Sequence, residues 1–116
     1  MHSPFVWFDN IGPARAKTTD FLKDMFDLSD APTDAMTFLT NPDQQMPFAA
    51  TCDAMLEVSG WVPYVEVDDL QAAVAKAQAA GAQIVVEDME GPAGRASFVR
   101  DPGGAVLALW KRGGAN

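Results

Sequence analysis

Asp101-Pro102-Gly103-Gly104-Ala105-Val106-Leu107-Ala108-Leu109-Trp110 couples a turn directly to a strand in a chain of 116 residues. Asp at the first turn position can bond back to the backbone, Pro presets φ at the second, and Gly tolerates a positive φ at the third. The apolar segment that follows is rich in strand formers, so the stretch reads as a hairpin ending in a buried strand over Ala105–Lys111. Its partner upstream is the strand Arg95–Val99, entered from a Gly91–Gly94 loop.

Working back, the same grammar recurs. Gly60 opens a cycle in which Trp61–Val67 reads as a strand. Asp68-Asp69 caps a helix, with Gln71 placed for a capping box. Leu70–Ala80 is an alanine-rich helix stopped by Gly81 at the C′ position, and Gln83–Glu87 is a further strand. Earlier still, Phe5–Ile11 reads as a strand ended by Gly12-Pro13. Ala14–Phe26 reads as a helix grouping Phe21, Leu22, Met25 and Phe26, with Pro13 just before or at its first position. Asp27–Asp34 reads as a polar connection. Ala35–Thr40, Phe48–Cys52 and Met55–Val58 read as short strands, with an Asn41-Pro42-Asp43 turn between the first two. The order is strand, helix, three strands, given twice, with Trp7 and Trp61 opening the two first strands. This predicts an α+β fold in a single domain over 1–116. Two paired βαβββ modules, about 4–58 and 60–112, form one curved mixed sheet, because neither half can bury its sheet face alone.

The formal charge of −8 comes from 16 acidic and 8 scattered basic residues, a balance that repels phosphate backbones and anionic lipid. Neither nucleic acid nor membrane is an expected partner. Cys52 is the single cysteine, which excludes an intrachain disulfide and reads as a small buried hydrophobe. The start Met1-His2-Ser3-Pro4-Phe5-Val6-Trp7 lacks the features of a signal peptide, and no stretch reaches the ~20 apolar residues of a membrane span. A cytoplasmic protein is the expectation. His2 is the single histidine and lies in what reads as a mobile terminus, as Gly113–Asn116 reads as a frayed tail.

Several segments resemble one family in the right order. Asp101–Trp110 is similar to the Asp-Pro-x-Gly-x-x-x-Glu-Leu turn and strand of the glyoxalase/bleomycin-resistance (vicinal oxygen chelate) superfamily. Gly94–Pro102 is similar to its Gly-Arg-Phe-Ala-Val-x-x-Asp-Pro segment. Trp61–Ala82 looks like the opening strand and helix of a second module. Trp7-Phe8-Asp9 and Phe21–Leu28 resemble the corresponding parts of the first. The resemblance implies metal ligands on the first and last strands of each module, usually His, Glu or Gln. Carried onto this sequence, those positions are Trp7, Val62 and Ala108, with Thr51 the one hard donor near the fourth. A divalent site needs converging imidazole, thiolate or carboxylate donors, and these side chains supply none.

The polar candidates keep two readings each. Asp9 alternates with Trp7 and is either hydrogen-bonded structure or a pocket group. Tyr64 and Glu66 share the face of Val62. Tyr64 either donates to a ligand or fills the sheet, and Glu66 either moves a proton, holds an amine, or is solvated. Arg95 either clamps an anion or pairs with an acidic neighbour. Trp7, Trp61 and Trp110 are either core or stacking platform, with Trp7 a candidate cavity floor, and Glu87-Asp88-Met89-Glu90 reads as a solvated loop. The expected function is binding of a small organic molecule in an apolar cup lined by Trp7, Asp9, Thr51, Val62, Tyr64, Glu66, Arg95, Ala108 and Trp110, with no metal and no other cofactor. Two alternatives stand beside it. One is a metal-dependent glyoxalase-like lyase, isomerase or dioxygenase. The other is a metal-free enzyme using Glu66 or Asp9 as general base. A homodimer is expected, as in many relatives.

Overall fold

The computed structural model describes residues 3–55 and 57–113. His2 and the tail beyond Gly113, both expected to be mobile, lie outside the described residues. The elements run β1 (Phe5–Ile11), α1 (Arg15–Phe26), β2 (Ser29–Pro32), β3 (Met36–Thr40), β4 (Ala49–Cys52), β5 (Gly60–Glu66), α2 (Leu70–Ala79), β6 (Gln83–Glu90), β7 (Gly94–Arg100) and β8 (Val106–Arg112). The βαβββ order therefore occurs twice. The chain forms two compact units: Trp7–Val62, and the segment from Pro63 onward together with the residues up to Val6.

In the Trp7–Val62 unit the strand order is β2-β3-β4-β1. β1 runs parallel to β4 with Asp9 opposite Ala50 and Ile11 opposite Cys52. β4 is antiparallel to β3, with Phe38 opposite Ala50. Alternation then fixes two faces. Leu39 lies on the face packed by α1, where it clusters with Leu22, Leu28 and the partly buried Phe48. Thr19 of α1 bonds back to the Arg15 carbonyl and meets Thr51 of β4 at 2.7 Å between hydroxyl oxygens.

Three expectations for this half need correction. Asp27–Asp34 is not a plain connection, because Ser29–Pro32 forms the edge strand β2 against β3. All four of its residues are exposed, so it carries no apolar pattern, and its terminal Pro blunts the edge. Met55–Val58 is no strand but an isolated bridge closing a tight turn, with Glu57 at φ 63°. The three strands after the helix thus begin one element earlier than the sequence reading places them. Finally, only Leu22 of the α1 apolar set is buried, while Phe21, Met25 and Phe26 are exposed. Phe21 and Met25 sit about a quarter-turn or more around the helix from the midpoint between Thr19 and Leu22.

The other unit has the same plan, in the order β5-β8-β7-β6. β5 is parallel to β8, β8 antiparallel to β7, and β7 antiparallel to β6. Asp69 caps α2 by accepting from the Ala72 N–H at 3.0 Å. The cap therefore sits one residue later than the proposed box requires, with Ala72 rather than Gln71 at the third helical position. Gly81, at φ 101°, ends the helix. Its N–H reaches the Gln78 carbonyl and that of Ala82 reaches Ala77, a Schellman closure. In the hairpin, Asp101 Oδ1 accepts from the Gly103 and Ala105 N–H groups. The positive φ of 100° falls on Gly104 rather than Gly103. The acidic stretch 87–90 belongs to β6 instead of a loop. A register shift there leaves Asp88 at φ 48° and joined to Arg95 at 2.6 Å.

Gly94 marks the tightest approach in this unit. A Cβ there would collide with the Lys111 carbonyl and lie 2.7 Å from Trp110 Nε1. Gly94→Ala is expected to cost about 1–3 kcal/mol in urea unfolding through overpacking. At Gly12 a Cβ would meet nothing within 4 Å, so Gly12→Ala is expected to change stability by less than about 1 kcal/mol. Equal losses at the two positions would refute the packing account.

Candidate functional site

The helix-free strand faces carry the chemistry. In the Trp7–Val62 unit, Trp7 and Asp9 stand two apart on β1. The Trp7 Nε1–H donates to Asp9 Oδ1 at 2.8 Å, with Asp9 only 4% exposed. A buried carboxylate needs such partners, since an unsolvated charge is costly. Cys52, diagonal to Asp9 across the β1–β4 ladder, supplies another. Burial first, then the charge of Asp9 and a hydrogen bond to it, push the Cys52 thiol up to about 12, with Arg15 opposing. The ring of Phe38 meets that of Trp7 edge-on at 6.0 Å. Beside Asp9 and Phe38 lies Ala50, with no exposed surface.

In the other unit Tyr64, Ala108 and Phe98 stand in register across β5, β8 and β7. Tyr64 and Phe98 pack edge-to-face at 5.8 Å, and Ala108 is fully buried. One pleat further, Glu66 stands opposite Trp110. Arg112 then grips Glu66 through Nε (3.0 Å) and a terminal nitrogen (3.3 Å), with its guanidinium carbon 4.9 Å from the centre of the Trp110 ring.

The sequence-derived candidates thus divide. Trp7 and Asp9 come together, as do Tyr64 with Ala108 and Glu66 with Trp110. Val62, 1% exposed, closes the Trp7–Val62 unit. Thr51 and Arg95 lie elsewhere. Thr51 faces α1 through Thr19. Arg95 alternates with Phe98 onto the face shared with Ser97, and its guanidinium is held by Asp88, with Glu90 at 3.8 Å. The pairing reading of Arg95 fits this geometry.

Sequence reasoning missed Arg112, Phe38 and Cys52. Period-two counting from Ala108 through Trp110 leads straight to Arg112. Phe38 and Cys52 fall in a stretch of unmatched strand texture, where only the register reveals their neighbours. The two units also supply the missing fourth metal-ligand position. Tyr64, two beyond Val62, stands opposite Ala108; Asp9, two beyond Trp7, stands opposite Ala50. By this register Ala50 is the counterpart of Ala108. Trp7, Ala50, Val62 and Ala108 offer no donor set that a divalent cation accepts. Among the described residues, no three or more His, Cys, Asp or Glu side chains gather to hold a metal.

Two copies of a βαβββ module, each with its first strand parallel to its last, define the class of fold. The model of the Glyoxalase/Bleomycin resistance protein/Dioxygenase superfamily matches residues 16–109, and the chain belongs to that superfamily. A segment of 52 residues is 42% identical to CFP32, provisionally named a glyoxylase, from Mycobacterium bovis and Mycobacterium tuberculosis. That match covers 44% of this chain but only 20% of those relatives. Among solved structures, the Mn(II)-bound glyoxalase from Novosphingobium aromaticivorans aligns at TM-score 0.68 with 14% identity, over 98% of this chain and 41% of that one. Methylmalonyl-CoA epimerase from Mycobacterium tuberculosis aligns at 0.60 with 17% identity, over 97% and 91%. Homoprotocatechuate 2,3-dioxygenase from Brevibacterium fuscum aligns at 0.66 with 14% identity, over 97% and 37%. At these identities the structures share the fold with this chain. Among the described residues, no helix is long and apolar enough to cross a membrane.

The Cys52 environment has a direct consequence. The folded thiol is raised above its ordinary 9.0. Its contribution to stability is therefore complete below pH 9 and is lost as pH climbs towards 12. Native Cys52 should resist iodoacetamide at pH 8. Asp9→Asn should speed its alkylation at pH 9, because the neighbouring negative charge is gone. A rate unchanged by the substitution, in a variant with native circular dichroism, would show that Asp9 does not act on the thiol.

Proposed function

We propose that this chain binds a small organic molecule in an apolar, aromatic-lined cup and does so without a resident metal. The observation that carries the reading is the identity of the four positions where the family pattern puts ligands: Trp7, Ala50, Val62 and Ala108. Two alanines with no exposed surface and a valine at 1% cannot donate to a cation. The indole N–H of Trp7 is turned to Asp9. The half-buried rings of Phe38 and Tyr64 favour binding through burial of apolar ligand surface, at about 25 cal/mol per Å² before ordering costs. Asp9 and Tyr64 supply polar orientation.

The metal-dependent reading draws on the Mn(II)-bound glyoxalase among the similar structures, but the donor chemistry above opposes it. As part of the same proposal the protein works in the cytoplasm and pairs with a second copy. The exposed Phe21, Met25 and Phe26 of α1 fit such pairing. Sedimentation equilibrium across a dilution series tests it, and a monomer at every concentration would count against it.

Protein purified without added cations is expected to retain far less than one equivalent of Mn, Fe, Zn or Ni. Aromatic compounds that raise its melting temperature in a thermal-shift screen should quench tryptophan emission equally with and without EDTA. Trp7→Ala should weaken those hits by about ten-fold or more, from lost aromatic contact area. Stoichiometric retained metal, or hits that need Mn(II), would overturn the reading.

A further inference from the structure

We propose that Glu66 and the indole face of Trp110 form a subsite for an organic cation, an alkylammonium carried on an apolar body, and that Arg112 occupies this subsite as a tethered surrogate which the ligand displaces. The inference rests on the small-molecule reading above and adds the chemical class of the ligand. A carboxylate beside an aromatic face is the pairing that recognises an ammonium, through charge on one side and the ring quadrupole on the other. Both groups are on the strand face shared with Tyr64 and Ala108, at adjacent register positions, Glu66 opposite Trp110.

The occupant displays the chemistry that the subsite accepts. Arg112 satisfies both halves at once, with two hydrogen bonds to Glu66 and its guanidinium over the indole. It is poorly held otherwise. It is the last residue of β8, its side chain is 65% exposed, and that of Glu66 is 35% exposed. Ion pairs in such settings add little to stability, so an incoming cation loses little by evicting it. Trp110, by contrast, is fixed. Its ring lies where a Gly94 side chain would be, which keeps the platform in place when Arg112 swings out. The surplus of acidic over basic residues, 16 to 8, draws cations towards the chain. Three of the other basic side chains are committed to acidic partners of their own: Arg15 to Asp53, Lys23 to Asp30 and Arg95 to Asp88.

The test titrates the full chain with choline and with its neutral isostere 3,3-dimethylbutanol, reading the Trp110 indole resonances by NMR. Arg112→Ala and Arg112→Gln should each bind choline about ten-fold more tightly than the parent, with no gain for the isostere. Arg112→Lys, which keeps a competing cation, should gain little. Adding Glu66→Gln to Arg112→Ala should erase the gain. Failure of both neutral variants to gain choline affinity overturns the proposal. An equal gain for choline and isostere also overturns it, while leaving apolar small-molecule binding intact. Loss of that broader reading would show separately, as an absence of metal-independent hits in the thermal-shift screen.

Discussion

In each module the first strand lies parallel to the last, and every feature of the site follows from that pairing. Parallel neighbours cannot be joined by a tight turn, so the chain must leave β1 or β5 and travel through a helix and two further strands before returning. The return sets the register. Asp9 lands beside Ala50 and Tyr64 beside Ala108. A slip of one residue in β1 would turn Trp7 and Asp9 towards α1, and one in β4 would bring Thr51 out beside Phe38.

That constraint assigns opposite work to the two faces of the strands. The helix-facing side is structural: Leu39 with Leu22 and Leu28, the Thr19–Thr51 contact, and Arg95 tied to the β6 bulge. In each unit the other side sets aromatic rings beside a small buried residue, Ala50 in one and Ala108 in the other. Its polar groups are already engaged, Asp9 with Trp7 and Cys52, and Glu66 with Arg112.

Much of this was legible in the residues. Turn chemistry at Asp101-Pro102-Gly103-Gly104, the Asp69 cap and the Gly81 stop act within a few residues, so local sequence specifies them. β1 and both helices are recovered to within a residue or so for the same reason. The failures share a cause. β2 is a strand only because β3 bonds to it, and its exposed Ser-Asp-Ala-Pro carries no apolar signal. β6 extends through an acidic run because β7 continues to pair with it past a bulge.

The family and most of the candidate groups were therefore set by sequence alone, since they depend on residue types at fixed local spacing. Tertiary structure decided which of those groups meet. It turned Thr51 and Arg95 to the other face, set Ala50 opposite Asp9, and brought Cys52 to Asp9 and Arg112 to Glu66. Those choices are made by the register between strands far apart in the chain, and a register fixed by long-range hydrogen bonds leaves no mark on either strand taken by itself.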